Sequence, residues 1–329
     1  MTRSLLKQVL TVSSLFIGLV VQPSQAQTAA SAVWPTKPVK IVVTFPPGGA
    51  PDTLARILAE KWGQATGQTF TVDNKPGAGG NIGADFVAKS AADGTTLLIA
   101  TVGTHAINPA LYAKMPYDNI KDFTPVSFLA STPNMLVVNN SVPAKTVKEL
   151  IALAGKTPLT FGSSGSGTSI HLSGELFNTL AGVKMQHIPY KGRAQAIPDL
   201  LGGRISMIFD NMPSALPLVK SGDIRAIAVT SATRSPAAPN IPTIAESGLP
   251  GFEATSWFAL MAPASMPKEV LARINAETIR VMTLPDVKEK LSTLGLDAAP
   301  ASPESLASLI QVETLKWAKV VKESGAKLD

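Results

Sequence analysis

The sequence has no cysteine and only three histidines, His105, His171 and His187. Their scarcity excludes disulfide scaffolds, thiolate catalysis, cysteine-type zinc sites and iron–sulfur clusters, and leaves no material for a histidine-rich metal centre. Aromatic residues are 5% of the 329, so no ladder of rings is available for stacking bases. Charged residues are also sparse at 16%, against 45% apolar residues and a mean hydropathy of +0.20. That balance excludes a disordered chain and demands a substantial core. The lysines and arginines are scattered rather than blocked, so no nucleic-acid partner is expected. After the amino-terminal segment, no apolar run reaches the roughly 18 residues that a membrane-spanning helix needs.

The amino-terminal segment itself has the layout of an export signal. Residues 1–7 carry Arg3 and Lys7 and no acid, residues 9–21 are an apolar run broken only by Thr, Ser and Gly, and Pro23-Ser24-Gln25-Ala26 supplies small residues for cleavage after Ala26. An uncleaved anchor is the rival reading, for which the apolar run is short. No cysteine follows to carry a lipid. Losing Arg3 and Lys7 with the leader takes two charges off the formal +6, leaving +4. The expected product is a periplasmic protein with a flexible leader over residues 27–33.

At about 100 to 200 residues per domain, this length suggests two lobes. Strands are expected at residues 39–45, 70–73 and 95–100, with helices between them at 51–65 and 81–91. In the first helix Leu54, Ile57, Leu58 and Trp62 share one stripe. This βαβαβ rhythm argues for a parallel sheet covered by helices. It restarts after Ser141-Val-Pro143, with helices at 146–154, 168–180 and 195–201 and strands at 159–161, 184–188, 205–209 and 224–229. Proline and glycine cluster over 235–251, a strand returns at 255–261, and three helical segments close the chain. The last opens with Ser302-Pro303-Glu304 and turns Leu306, Leu309, Ile310, Trp317, Val320 and Val321 inward. The expected fold is α/β and two-lobed, with residues 34–131 and 257–329 in the first lobe and 132–256 in the second. Crossings are expected near 131–138 and 251–258, with a ligand cleft between the lobes.

Two strand-to-helix junctions carry the chemistry. Pro47, Gly48, Gly49 and Ala50 lie in Phe45-Pro46-Pro47-Gly48-Gly49-Ala50-Pro51-Asp52, where glycines bare the backbone N–H groups and Pro51 opens a helix without wasting a donor. The start of a helix favours an anion, by roughly 0.3 to 2 kcal/mol from its dipole. The equivalent junction of the second half is Phe161-Gly162-Ser163-Ser164-Gly165-Ser166-Gly167-Thr168, again rich in glycine and hydroxyls. Facing each other across a cleft, the two would hold a carboxylate. Other readings are an ordinary βα turn for the first and a flexible Gly/Ser connection for the second.

Several familiar patterns fail. Gly77-Ala-Gly79-Gly80-Asn81-Ile82-Gly83 follows the second strand and lacks the third dinucleotide glycine, and Leu150 stands where a P-loop before Gly155-Lys156-Thr157 requires glycine. No serine in 162–167 has glycine two residues away on both sides, so the hydrolase elbow is absent. No metal and no cofactor are expected. His171 is read either as a general base for Ser164 or Ser166, which would make a serine hydrolase of Ser166 and His171, or as a packing residue. His105, in Thr101-Val-Gly103-Thr104-His105, is expected to fix a loop lining the cleft. Asp210 is read either as an acceptor for a ligand amino or hydroxyl group or as a cap for the next helix.

Taken together, Pro47-Gly48-Gly49, Asn74-Lys-Pro-Gly-Ala-Gly-Gly-Asn-Ile-Gly83, Asn108-Pro-Ala-Leu-Tyr112, Tyr190-Lys-Gly192, Phe209-Asp-Asn211 and Glu246-Ser-Gly-Leu-Pro-Gly-Phe252 resemble, in order from Trp34 to Asp329, the Bug-type periplasmic solute-binding proteins of tripartite tricarboxylate transporters. The resemblance implies a type II "Venus flytrap" fold with a mixed sheet in each lobe and no enzymatic activity. It implies delivery of a small carboxylate to a membrane permease. A monomer is expected, and the alternative reading is a loaded sensor that signals to a membrane receptor. It also implies a carboxylate gripped by Pro47 to Ala50 and by Ser164, Ser166, Gly167 and Thr168, with Thr101, Thr104, Tyr190, Gly192 and Asp210 completing the pocket.

Overall fold

The first strand, β1 (Val39–Val43), is Val-Lys-Ile-Val-Val, a β-branched run almost wholly buried, as a central parallel strand must be. It leads to α1 (Ala50–Thr66), whose Leu54, Ala55, Ile57, Leu58 and Trp62 are buried and which stops at Gly67, a left-handed residue with φ 70°. The helix is followed by β2 (Phe70–Asn74), α2 (Asn81–Ala88), β3 (Thr96–Thr101) and the short α3 (Asn108–Leu111). The computed structural model describes residues 34–328, so the expected export signal and the leader over 27–33 lie outside the described residues. Both β2 and β3 pair with β1 in parallel, as the rhythm predicted.

The second half is built from α4 (Val147–Ala154), β5 (Thr160–Ser163), α5 (Ser169–Ala181), β6 (Gln186–Pro189), α6 (Arg193–Leu201), β7 (Met207–Asn211), α7 (Met212–Lys220) and β8 (Arg225–Val229). Here β5 is parallel to β6 and β7. The strand between the halves, β4 (Phe123–Val138), has 16 residues and was not anticipated at that length, because Pro125 and Pro133 interrupt its pattern. Its register slips between Pro125 and Ser127 and again between Phe128 and Ala130. Residues 123–133 pair antiparallel with β9 (Thr255–Pro263), and residues 134–138 pair antiparallel with β7. The strand order is β2-β1-β3-β9-β4-β7-β5-β6, with β8 and β10 (Asp297–Ala298) also on β4. Both halves are therefore mixed, and β4 is the element they share.

The chain closes with α8 (Lys268–Met282), α9 (Pro285–Thr293) and α10 (Pro303–Ser324). Ser302 caps α10 through the N–H of Ser305, and Leu306, Ile310, Trp317 and Val321 are buried on its inner face. Leu309 and Val320 only flank that core. This helix packs on α3, β4 and α5, so it touches both halves. Glu313 on α10 accepts from the indole N–H groups of Trp257 and Trp317, each at 3.0 Å, which ties the helix to β9. Among the described residues, no helix is long and apolar enough to cross a membrane.

Candidate functional site

In both glycine loops the geometry follows one local scheme. After β1, Gly48 turns at φ 91° and Gly49 caps α1 in extended conformation. The Gly48 N–H donates to Asp52 Oδ2 at 3.0 Å, four residues on. After β5, Gly165 and Gly167 turn at φ 127° and 83°, and Thr168 caps α5 by accepting from the N–H of His171 at 3.2 Å. The Gly167 N–H donates to His171 Nδ1 at 3.3 Å, again four residues on. The first glycine donors are thus spent inside the protein. Those left without partners among the described residues belong to Gly49 and Ala50 on one side and Ser169 and Ile170 on the other.

Each brace is electrostatically set. Asp52 is 3% exposed; burial works to raise its pKa, but Arg56, the Gly48 N–H and Asn74 outweigh it and hold the carboxyl below its usual range. On the other side, His171 stacks on His187 with ring centres 3.9 Å apart. Ser163 Oγ lies 2.6 Å from His187 Nε2 and accepts the Gly165 N–H at 3.2 Å. Burial, helped by the neighbouring His171, pushes His187 down to about 3.

His105 is likewise pushed down to about 3 by complete burial. Its Nδ1 meets Thr104 Oγ1 at 2.9 Å, and its carbonyl accepts from Asn119 at 2.8 Å, so it fixes the loop after β3 from behind. The sign of the resulting pH dependence is clear. An unfolded histidine titrates near 6.5, so between about pH 6.5 and 3 the unfolded chain binds more protons than the folded one. Stability is therefore lost on acidification through that window, by up to about 1.4 kcal/mol per pH unit for each such histidine. Thermal midpoints are expected to fall from pH 7 to 4.5, and His105→Asn is expected to make that fall shallower; an unchanged slope in the variant contradicts the assignment.

Of the residues with free donors, Gly49, Ser169 and Ile170 line one cavity of about 170 Å³. Pro47, Gly48, Gly49 and Thr101 line it from the first half, and Ser164, Thr168 and Asp210 from the second. Its other walls include the apolar residues Phe45, Ile170 and Phe258, together with Ser256. Ser256 Oγ meets Ser169 Oγ at 2.6 Å and donates to Asn134 Oδ1 at 2.9 Å, while Asn211 Nδ2 donates to Asn134 Oδ1 at 2.6 Å. This buried polar knot joins the start of α5 to β4, β7 and β9 where the halves meet.

The remaining sequence candidates stand elsewhere. Ala50 is buried within the first turn of α1. Thr104 is fully buried, its hydroxyl 3.1 Å from the Thr101 carbonyl oxygen. Gly167 packs on Asn108, and Gly192 packs on Pro46. Ser166 and Tyr190 line a second cavity of about 360 Å³ with Gly77, Gly79 and Lys191, which shares Phe45 and Ser164 with the first. His171 spends its Nδ1 on Gly167 and has Nε2 3.5 Å from Glu175, so it does not serve as a base for Ser166. Asp210 does not cap α7, whose cap residue is Asn211, and the Asn211 side chain makes no capping bond to the helix. Its Oδ2 accepts from Arg193 Nε at 2.7 Å. Burial raises the Asp210 pKa, against the lowering pull of Arg193.

Arg193 was missed although it lines the first cavity and opens α6 directly after Tyr190-Lys-Gly192. A charged residue at a strand-to-helix junction was the available signal. Its partner, 17 residues away, was not readable without the topology. Ser256 was missed for the same reason. Among the described residues, no group of three His, Cys, Asp or Glu is placed to hold a metal ion.

The model of the family described as "Tripartite tricarboxylate transporter family receptor" matches residues 54–326. The chain belongs to this family. Over 316 residues it is 37% identical to Protein BugT of Bordetella pertussis, covering 95% of this chain and 97% of that one. Among solved structures it is similar to R. palustris Rpa4515 with adipate, at 41% identity and a TM-score of 0.87, covering 90% of this chain and all of the other. It is also similar to MatC from Rhodopseudomonas palustris with bound malate, at 33% identity, TM-score 0.83, and coverage of 88% and 100%. Membership makes the protein a two-lobed solute-binding receptor rather than an enzyme, so the hydrolase reading falls with it.

Proposed function

We propose that this receptor closes its two lobes on a small carboxylate and delivers it to a membrane permease of the tripartite tricarboxylate type. The observation that carries this reading is the convergence of two helix starts, α1 and α5, with unspent N–H donors on a single small cavity. Donors fixed before binding need no reorganisation when the anion arrives. The carboxylates in the adipate and malate complexes of its relatives support the same class of cargo. The first lobe comprises residues 34–131 and 257–329 and the second 132–256, with the bend at the shared segment of β4 and β9. Export to the periplasm with cleavage after Ala26, and action as a monomer, complete the reading.

Closure follows because a ligand touching both lobes stabilises the closed form by its differential affinity. A member of a panel of mono-, di- and tricarboxylates at 100 times its dissociation constant is expected to add about 2.7 kcal/mol of stability, a rise of several degrees in melting temperature. A panel in which no member moves the melting curve contradicts the reading.

A further inference from the structure

Asp210 has an acceptor that its neighbours leave empty. It is 1% exposed and stands on the cavity wall at the carboxyl end of β7. One carboxylate oxygen, Oδ2, accepts from Arg193 Nε at 2.7 Å. Arg193 is held in that pose by a second bond, from Nη2 to the Ser214 carbonyl at 2.7 Å. The other oxygen, Oδ1, is buried and has no hydrogen-bond partner. The Asn211 N–H also pulls on the carboxylate as a backbone donor, yet Oδ1 has no partner at hydrogen-bonding geometry. The carboxylate faces a guanidinium, which favours its ionised form; in that form it offers only acceptors, and a buried acceptor gains most from a donor. Such an oxygen on a ligand cavity is an unfilled half of a hydrogen bond.

The cavity also fixes what that half requires. The α1 and α5 donors suit an anion, whereas Asp210 repels one and Arg193 is already neutralised by it. The end of the ligand that reaches Asp210 must therefore bring an N–H or O–H. Resting on the proposed function, we infer that Asp210 selects, among small carboxylates, those that also carry a hydroxyl or ammonium group, which donates to its free oxygen.

Calorimetric titration of matched pairs tests this. Succinate is compared with malate and with aspartate, and adipate with 2-hydroxyadipate and 2-aminoadipate, so that hydroxyl and ammonium donors are read separately at two chain lengths. In at least one series a donor-bearing member is expected to bind at least about tenfold more tightly than its plain partner, because an analogue lacking the donor leaves the buried oxygen unpaired. In Asp210→Asn the advantage is expected to shrink below about threefold. Plain dicarboxylates that bind as tightly as both substituted forms overturn the inference and leave the carboxylate reading standing; the wild-type comparison alone decides this if the variant does not fold. Failure of every compound to bind overturns both.

Discussion

Gly49→Asp is expected to leave the protein folded and to remove ligand binding. Gly49 is the cap residue of α1, with φ −89° and ψ 174° and no side-chain cap bond of its own. A Cβ there meets only Pro51 Cδ at an ordinary 3.6 Å. Aspartate is a favoured cap residue, so stability should change by no more than about 1 kcal/mol. The same carboxylate would occupy the helix start that the ligand uses. Two negative charges about 4 Å apart repel by roughly 4 kcal/mol at an effective dielectric of 20, which corresponds to nearly three decades of affinity. Calorimetry should therefore show binding more than 100-fold weaker, with the melting temperature within a few degrees of the parent. Gly49→Asn, which has the same shape without the charge, should retain more affinity. Wild-type affinity in the aspartate variant would mean that the carboxylate sits elsewhere.

A second large effect is expected from Gly192→Ala, a change that adds one methyl group across the cleft. Gly192 has an extended backbone, φ 168°, that any residue adopts, so the substitution introduces no backbone strain. A Cβ at Gly192 would lie 2.6 Å from Pro46 Cγ and 3.0 Å from Cδ, atoms of a stiff ring on the opposite half. Gly103 makes the same kind of approach, since a Cβ added there would lie 2.8 Å from the Gly167 carbonyl oxygen. Glycine at these points lets the halves close to backbone contact around the cavity. A methyl at 192 holds them apart, and the ligand must work against that wedge. Affinity should fall about 10- to 100-fold, because the competent closed state is less populated. If the unliganded protein rests with its lobes parted, its melting temperature should stay near the parent's, since the contact would then form only on closure. Small-angle scattering should show a smaller ligand-induced decrease in radius. Full affinity with normal contraction would place closure on other contacts.

Much of the fold was readable because burial on both faces leaves near-continuous apolar runs for central strands, and helices such as α1 carry a clean stripe ended by glycine. The long β4 was not, since Pro125 and Pro133 break its pattern while its bulges keep it in the sheet. The two glycine junctions were readable as a pair. What their composition hid was the fate of individual donors: Gly48 and Gly167 look bare in the sequence, yet Asp52 and His171, each one helical turn further on, take up their N–H groups. The donors left unpaired lie a residue or two further toward the helix. The pairing of Arg193 with Asp210 and the knot at Ser256 join segments that only the topology brings together.

A crystal structure with a bound dicarboxylate tests the central claim most directly. One carboxylate is expected to have its oxygens within about 3.2 Å of the N–H of Gly49 or Ala50 and, at the same time, of Ser169 or Ile170. A ligand seated instead in the second cavity, beside Gly77, Ser166 and Lys191, or held by only one of the two helix starts, would contradict it.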